Sequence, residues 1–143
     1  MTTPHENAAT TRELIQRVLN EGDMGFAEKT LSELFVGTNP MAGGTADKAG
    51  AIAMFAMMRA WIPDMHTEVD DVIATGNKVA VRSTMTGTDT NGAMPGMPPT
   101  GKSFSMGAID VFAFDDAGMN TEHYGVYDIM GMMGQLGLLP APE

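Results

Sequence analysis

The stretch that decides the fold is Met94–Leu139, MPGMPPTGKSFSMGAIDVFAFDDAGMNTEHYGVYDIMGMMGQLGLL. Its front belongs to a Gly/Pro/Met loop over Asp89–Lys102, where Pro98–Pro99 excludes regular structure. Ser103–Phe114 then reads as a long strand, Asp115–Gly118 as a turn, and Met119–Tyr127 as the returning strand. Asp128 opens a short Met/Leu/Gly helix running to Leu136. The run Ile109–Phe114 is apolar on both parities, whereas an antiparallel strand with one wet face alternates. Both faces are therefore expected to be covered, one by helices and the other by a second subunit. A homo-oligomer, dimer or tetramer, is the resulting expectation.

Upstream, the strand rhythm continues backwards. Lys78–Thr88 and His66–Ala74 alternate, and Thr75–Gly76–Asn77 between them is a hairpin turn. Before Pro63 the period becomes helical. Asp47–Trp61 reads as a helix apolar on nearly every side from Ala51 to Met58, so it is covered on most faces or closes a cavity. Gly37–Gly44 is a loop by turn chemistry. Asp23 caps a second helix with Phe26, Leu31, Leu34 and Phe35 as its buried stripe. Thr10 or Thr11 caps a first helix through Leu19. Residues 1–9 read as a flexible tail. Three helices followed by four strands with short turns predict one α+β domain over 1–143 with an antiparallel sheet.

At 143 residues the chain can bury a real core. Its net charge of −10 argues against nucleic acid and anionic membranes, which need a basic footprint. It has no cysteine, which excludes thiolate and disulfide chemistry and fits a reduced, cytoplasmic setting. The polar start has no apolar signal region, and no run approaches membrane-span length. The unusual feature is 15 methionines. Most read as core filler, but a methionine wall can also adapt to an irregular apolar ligand.

The order of motifs resembles the SnoaL-like polyketide cyclases, of the group of cone-shaped α+β barrels that includes ketosteroid isomerase and scytalone dehydratase. The resemblance rests on Pro63–Asp64, the hairpin Asp71–Val79, Gly96-Met-Pro-Pro-Thr-Gly-Lys102, Glu122–His123, and Asp128-x-x-Gly-x-x-x-Gln-Leu-Gly137. It implies three helices plugging a strongly curved sheet, with a deep apolar pocket between. It also implies cofactor-independent and metal-free ring closure by intramolecular aldol condensation, with the acid/base at the position of Asp128. Two neighbouring positions depart from the family: Asp110 stands where the cyclases compared carry a histidine, and Ala108 where they carry a glutamine.

Such a reaction needs a base for a proton alpha to a carbonyl and a donor for the oxygen that gains charge. Asp128 follows Tyr124 and Val126 at period two, so it faces the pocket if that side of the strand is concave. Its other reading is a helix N-cap. Asp110 shares a strand face with Ala108, Phe112 and Phe114, where a charge is costly unless paired or functional. It either shares a proton with Asp128 or pairs with Arg59 or Arg82. His123 alternates away from Asp128, which points it outward or to a subunit contact; it stays at the margin of the candidate site. Asn39, Met54, Phe55, Met58, Trp61, Tyr124 and Met132 complete the expected substrate wall, with Ala108 and Phe112. No metal-ligand spacing is present. The competing functions are a binding protein for small hydrophobic ligands without chemistry, and a dimeric domain whose pocket is filled by its own methionines.

Overall fold

The chain begins in a helix rather than a tail. In the computed structural model, which describes residues 1–39 and 43–140, α1 spans Pro4–Leu14. Thr3 and Glu6 form a reciprocal capping box: Thr3 Oγ1 accepts from Glu6 N–H at 3.2 Å, and Thr3 N–H donates to Glu6 Oε2 at 2.7 Å. Pro4 at the first helical position completes a start signal that outranks Thr10 and Thr11. From Ile15 to Asn20 the helix widens into a π-helical turn, and Glu21 N–H reaches Gln16 O at 3.0 Å.

Asp23 caps α2, Met24–Thr30, by accepting from Phe26 N–H at 3.1 Å. The expected extension of this helix to Phe35 is wrong. Leu31–Thr38 is strand β1, and Thr45–Asp47 is the short strand β2 beside it. The spacing of Leu31, Leu34 and Phe35 looks helical, yet Leu34 is exposed while Leu31 and Phe35 are buried. Backbone pairing with the last strand overrides the local pattern. The loop expected between Gly37 and Gly44 is thus partly strand, and 40–42 lies outside the described residues.

The remaining elements follow the sequence closely. They are α3 Lys48–Trp61, β3 His66–Thr75, β4 Lys78–Thr88, β5 Ser103–Phe114, β6 Asn120–Tyr127 and α4 Ile129–Gln135. The strand order is β2-β1-β6-β5-β4-β3. All neighbours are antiparallel except β1 and β6, which run parallel, so the curved sheet is mixed and open rather than antiparallel throughout. Helix α1 packs on β3 and β4, and α3 packs on β1. Buried Met65, Met85, Met106 and Met132 join Ile62, Phe104 and Leu136 in one core cluster under α4. Among the described residues no helix is long and apolar enough to cross a membrane.

Candidate functional site

A cavity of about 140 Å³ lies between the helices and the concave face of the sheet. Leu14, Val18, Phe35, Met54, Phe55 and Trp61 contribute apolar walls from the helix and β1 side. Met85, Met106, Ala108 and Phe112 contribute from the sheet. A dry cavity of about this size holds one benzene-sized ring. A larger guest must displace the flexible methionines, which is what such side chains allow.

One polar cluster interrupts this surface. Asp110 on β5 is buried, and its Oδ1 accepts from the Tyr127 hydroxyl at 2.9 Å and bonds His123 Nε2 at 2.6 Å. The Tyr127 hydroxyl lies 3.5 Å from the same His123 nitrogen. The register explains the arrangement. Asp110 stands opposite Gly125, and His123 and Tyr127 flank that glycine on β6. A Cβ at position 125 would collide with the Tyr127 hydroxyl and with Asp110 Oδ1, so glycine leaves the space in which the three side chains converge. Phe112, opposite His123, tilts its ring against the imidazole at a centroid distance of 5.0 Å. On the other flank of β6, Thr38 Oγ1 accepts from Gly125 N–H at 3.2 Å and ties β1 to this segment.

Both bonds to Asp110 converge on Oδ1, which leaves Oδ2 with lone pairs to spare. Burial, and then the adjacent Asp110 charge, push the Tyr127 phenol far above its ordinary range. It therefore stays a protonated donor. Among the described residues no group of three or more His, Cys, Asp or Glu side chains could hold a metal ion.

The model of the SnoaL-like polyketide cyclases matches residues 9–136. The chain belongs to the SnoaL-like polyketide cyclase family. Among functionally curated proteins none matches it in sequence. IdmH from Streptomyces antibioticus, a candidate polyketide cyclase, is 28% identical with a TM-score of 0.82, over 93% of this chain and 99% of that one. TsrD from Streptomyces laurentii is 26% identical with a TM-score of 0.84, over 97% and 100% of the two chains. AclR from Streptomyces galilaeus, a candidate hydroxylase, is 25% identical with a TM-score of 0.84, over 99% and 91%.

Outside His123, the residues that carry the SnoaL-like resemblance make structural contacts in this chain. Asp128 is exposed and caps α4, accepting from Gly131 N–H at 2.9 Å; it does not line the cavity. A Cβ at Gly131 would strike that carboxylate. Gln135 clamps the Ser105 backbone in both directions, at 2.7 and 2.8 Å, and Leu136 is buried beneath. Gly137, at φ +73°, ends the helix in a conformation that favours glycine. The Gly96–Lys102 motif folds around Asp89, which is buried. Its carboxylate accepts from Ala93 N–H at 2.6 Å and from both Thr100 N–H and Thr100 Oγ1 at 2.9 Å.

The expected side of β6 was the wrong one. Tyr124 and Val126 share the parity of Asp128 and are 60% and 58% exposed, so Tyr124 does not line the cavity. His123, expected to face outward, faces inward with Tyr127. Asp110 pairs with neither expected arginine. Arg59 donates to Leu19 O and Asn20 O at 2.6 and 2.9 Å, and Arg82 lies 3.7 Å from Asp70. Asn39, Met54, Phe55, Met58, Trp61, Ala108, Phe112 and Met132 all line the cavity as expected. Tyr127 is the member that the sequence reading missed. Antiparallel partners face the same way, but the turn pairs Phe114 with Asn120, and only a register shift between Ala113 and Phe114 sets even positions of β5 opposite odd positions of β6.

Proposed function

We propose that the cavity binds a small apolar carbonyl compound and that Asp110 moves a proton on it without a cofactor. The observation that carries this is the Asp110–His123–Tyr127 cluster, joined at 2.6 and 2.9 Å inside a largely apolar cavity. Asp110 Oδ2 takes a proton from a carbon alpha to a carbonyl, and the electron pair of that C–H bond moves into an enolate. The enolate carbon attacks a second carbonyl of the same molecule, a C–C bond forms, and the new alkoxide recovers the proton from Asp110. Nothing is oxidised or reduced. As Asp110 takes up the proton and loses its charge, the Tyr127 hydroxyl turns its single proton from Oδ1 to the oxygen that gains charge. The same residues serve an isomerisation if the enolate is reprotonated elsewhere.

The family resemblance adds a second support. Where the cyclases compared carry a histidine at the position of Asp110, this chain carries the carboxylate there and brings the imidazole from His123 on the neighbouring strand. Family membership and a shared fold do not fix the chemistry, since the same scaffold is found in a candidate hydroxylase.

The test is turnover of a linear poly-β-ketone ester by wild type and by Asp110→Asn, with binding followed by thermal shift. The proposal expects Asp110→Asn to bind and to cyclise at least about 100-fold more slowly, the usual reach of a general acid–base residue. Unchanged turnover contradicts it. A binding protein without chemistry is the second reading, favoured by the exposure of Asp128, which removes the carboxylate that the resemblance assigns to catalysis. Ligand-induced stabilisation of wild type with no product supports that reading instead.

A further inference from the structure

One buried polar atom at the cavity has no role in the Asp110 cluster. Thr67 on β3 is 7% exposed, and its Oγ1 has no hydrogen-bond partner among the described residues. The backbone of the same residue is engaged twice. Its N–H donates to Asn20 Oδ1 at 2.7 Å, and its carbonyl accepts from Asn20 Nδ2 at 3.0 Å. This clamp fixes β3 to the π-helical turn. Thr67 is among the residues lining the cavity, but its Oγ1 is itself closed to solvent, so a ligand oxygen meets the hydroxyl after a turn about χ1. A buried hydroxyl left unpaired is costly, and in a native fold it calls for an explanation.

The register places this hydroxyl in line with the reactive cluster. Thr67 stands opposite Met85 of β4, Ser83 opposite Ala108 of β5, Asp110 opposite Gly125 of β6, and His123 opposite Phe112. Each step to the next strand shifts the polar residue by two positions in the same direction. Thr67, Ser83, Asp110 and His123 thus form one diagonal across a concave face that is otherwise largely apolar. Diagonal neighbours in a sheet lie roughly 7–8 Å apart, so Thr67 sits two such steps from Asp110. Ser83, also buried, lines the cavity between them. A threonine hydroxyl both donates and accepts, so it suits a hydroxyl or a carbonyl equally.

We propose that Thr67 Oγ1 is the recognition point for a second oxygen function of the ligand, a hydroxyl or carbonyl at the end remote from Asp110. The ligand class is then an apolar skeleton of about two fused rings, or its open-chain equivalent, with oxygen at both ends. This deepens the reading of the cavity as a carbonyl-compound site and rests on it.

The test is calorimetric titration of the full chain with 2-acetylnaphthalene and with 6-acetyl-2-naphthol, which adds only the distal hydroxyl. Wild type is expected to prefer the naphthol by about five- to tenfold, the value of one hydrogen bond. Thr67→Val is expected to lose the preference while binding 2-acetylnaphthalene as wild type does. Thr67→Ser, which keeps the hydroxyl, is expected to retain it. Equal binding of the two probes by wild type, or a preference that survives in Thr67→Val, overturns the inference alone; a purely structural or water-holding threonine gives these results. Failure of wild type to bind either probe overturns it together with the binding role of the cavity.

Discussion

At the scale of single residues, the polar cluster depends on a side chain that is absent. Gly125 has no Cβ, and that space is where Asp110 Oδ1 meets the Tyr127 hydroxyl. Gly125→Ala is expected to splay the cluster and to destabilise the fold by about 1–3 kcal/mol, as overpacking does. Chemical denaturation measures the stability, and ligand titration shows whether the site survives. Asp89 makes the opposite kind of prediction. Burial pushes its carboxyl up, but the hydrogen bonds from Thr100 and Ala93 outweigh this and hold it below its ordinary value. A depressed folded-state value means that the stabilisation is present above the unfolded value of about 4 and is lost as pH falls through the folded one. Asp89→Asn is therefore expected to be less stable than wild type at neutral pH. The gap should close in acid, as followed by thermal melting from pH 7 downward.

At the scale of elements, α4 shows how the closing motif works. Asp128 holds the helix start, Gln135 bolts the helix to β5, and Gly137 lets the chain leave. Asp128→Ala is expected to cost about 1 kcal/mol, the ordinary value of an N-cap, and to leave ligand binding unchanged. A loss of binding with full stability would contradict this assignment. The long strands were legible in the sequence because most carry their own alternation and all are bounded by Gly, Pro or Asp turns. Strand β5 was read to its observed limits, and its inward face, with Asp110, followed from counting by two. Strand β1 was not legible, because its partner β6 lies almost ninety residues away and its apolar spacing imitates a helix. The inward side of β6 was misread because Asp128 was given the concave face, whereas the parity it shares with Tyr124 and Val126 is the exposed one. In the fold Asp128 is already the cap of α4, one residue past the end of the strand.

At the scale of the whole molecule, the outer face of the sheet remains to be covered. Ile109 pairs with Val126 and Val111 with Tyr124, and Ile109, Tyr124 and Val126 are each more than half exposed. Exposed apolar side chains gathered on one face of a chain of net charge −10 suit a contact surface. We propose that a second copy of the chain covers it, since the same residues on both partners then bury one another. Light scattering is expected to give a dimer for wild type and a monomer for Val126→Arg; a monomeric wild type would contradict this.

The central claim is that the ligand meets Asp110, inside the sheet, and not Asp128, at the helix start. Carbon-13 labelling of the aspartate carboxyl groups, with resonances assigned through Asp110→Asn and Asp128→Asn, measures this directly during titration with 2-acetylnaphthalene. The account predicts that the Asp110 resonance moves and the Asp128 resonance does not. Movement of Asp128 with Asp110 unchanged would contradict it.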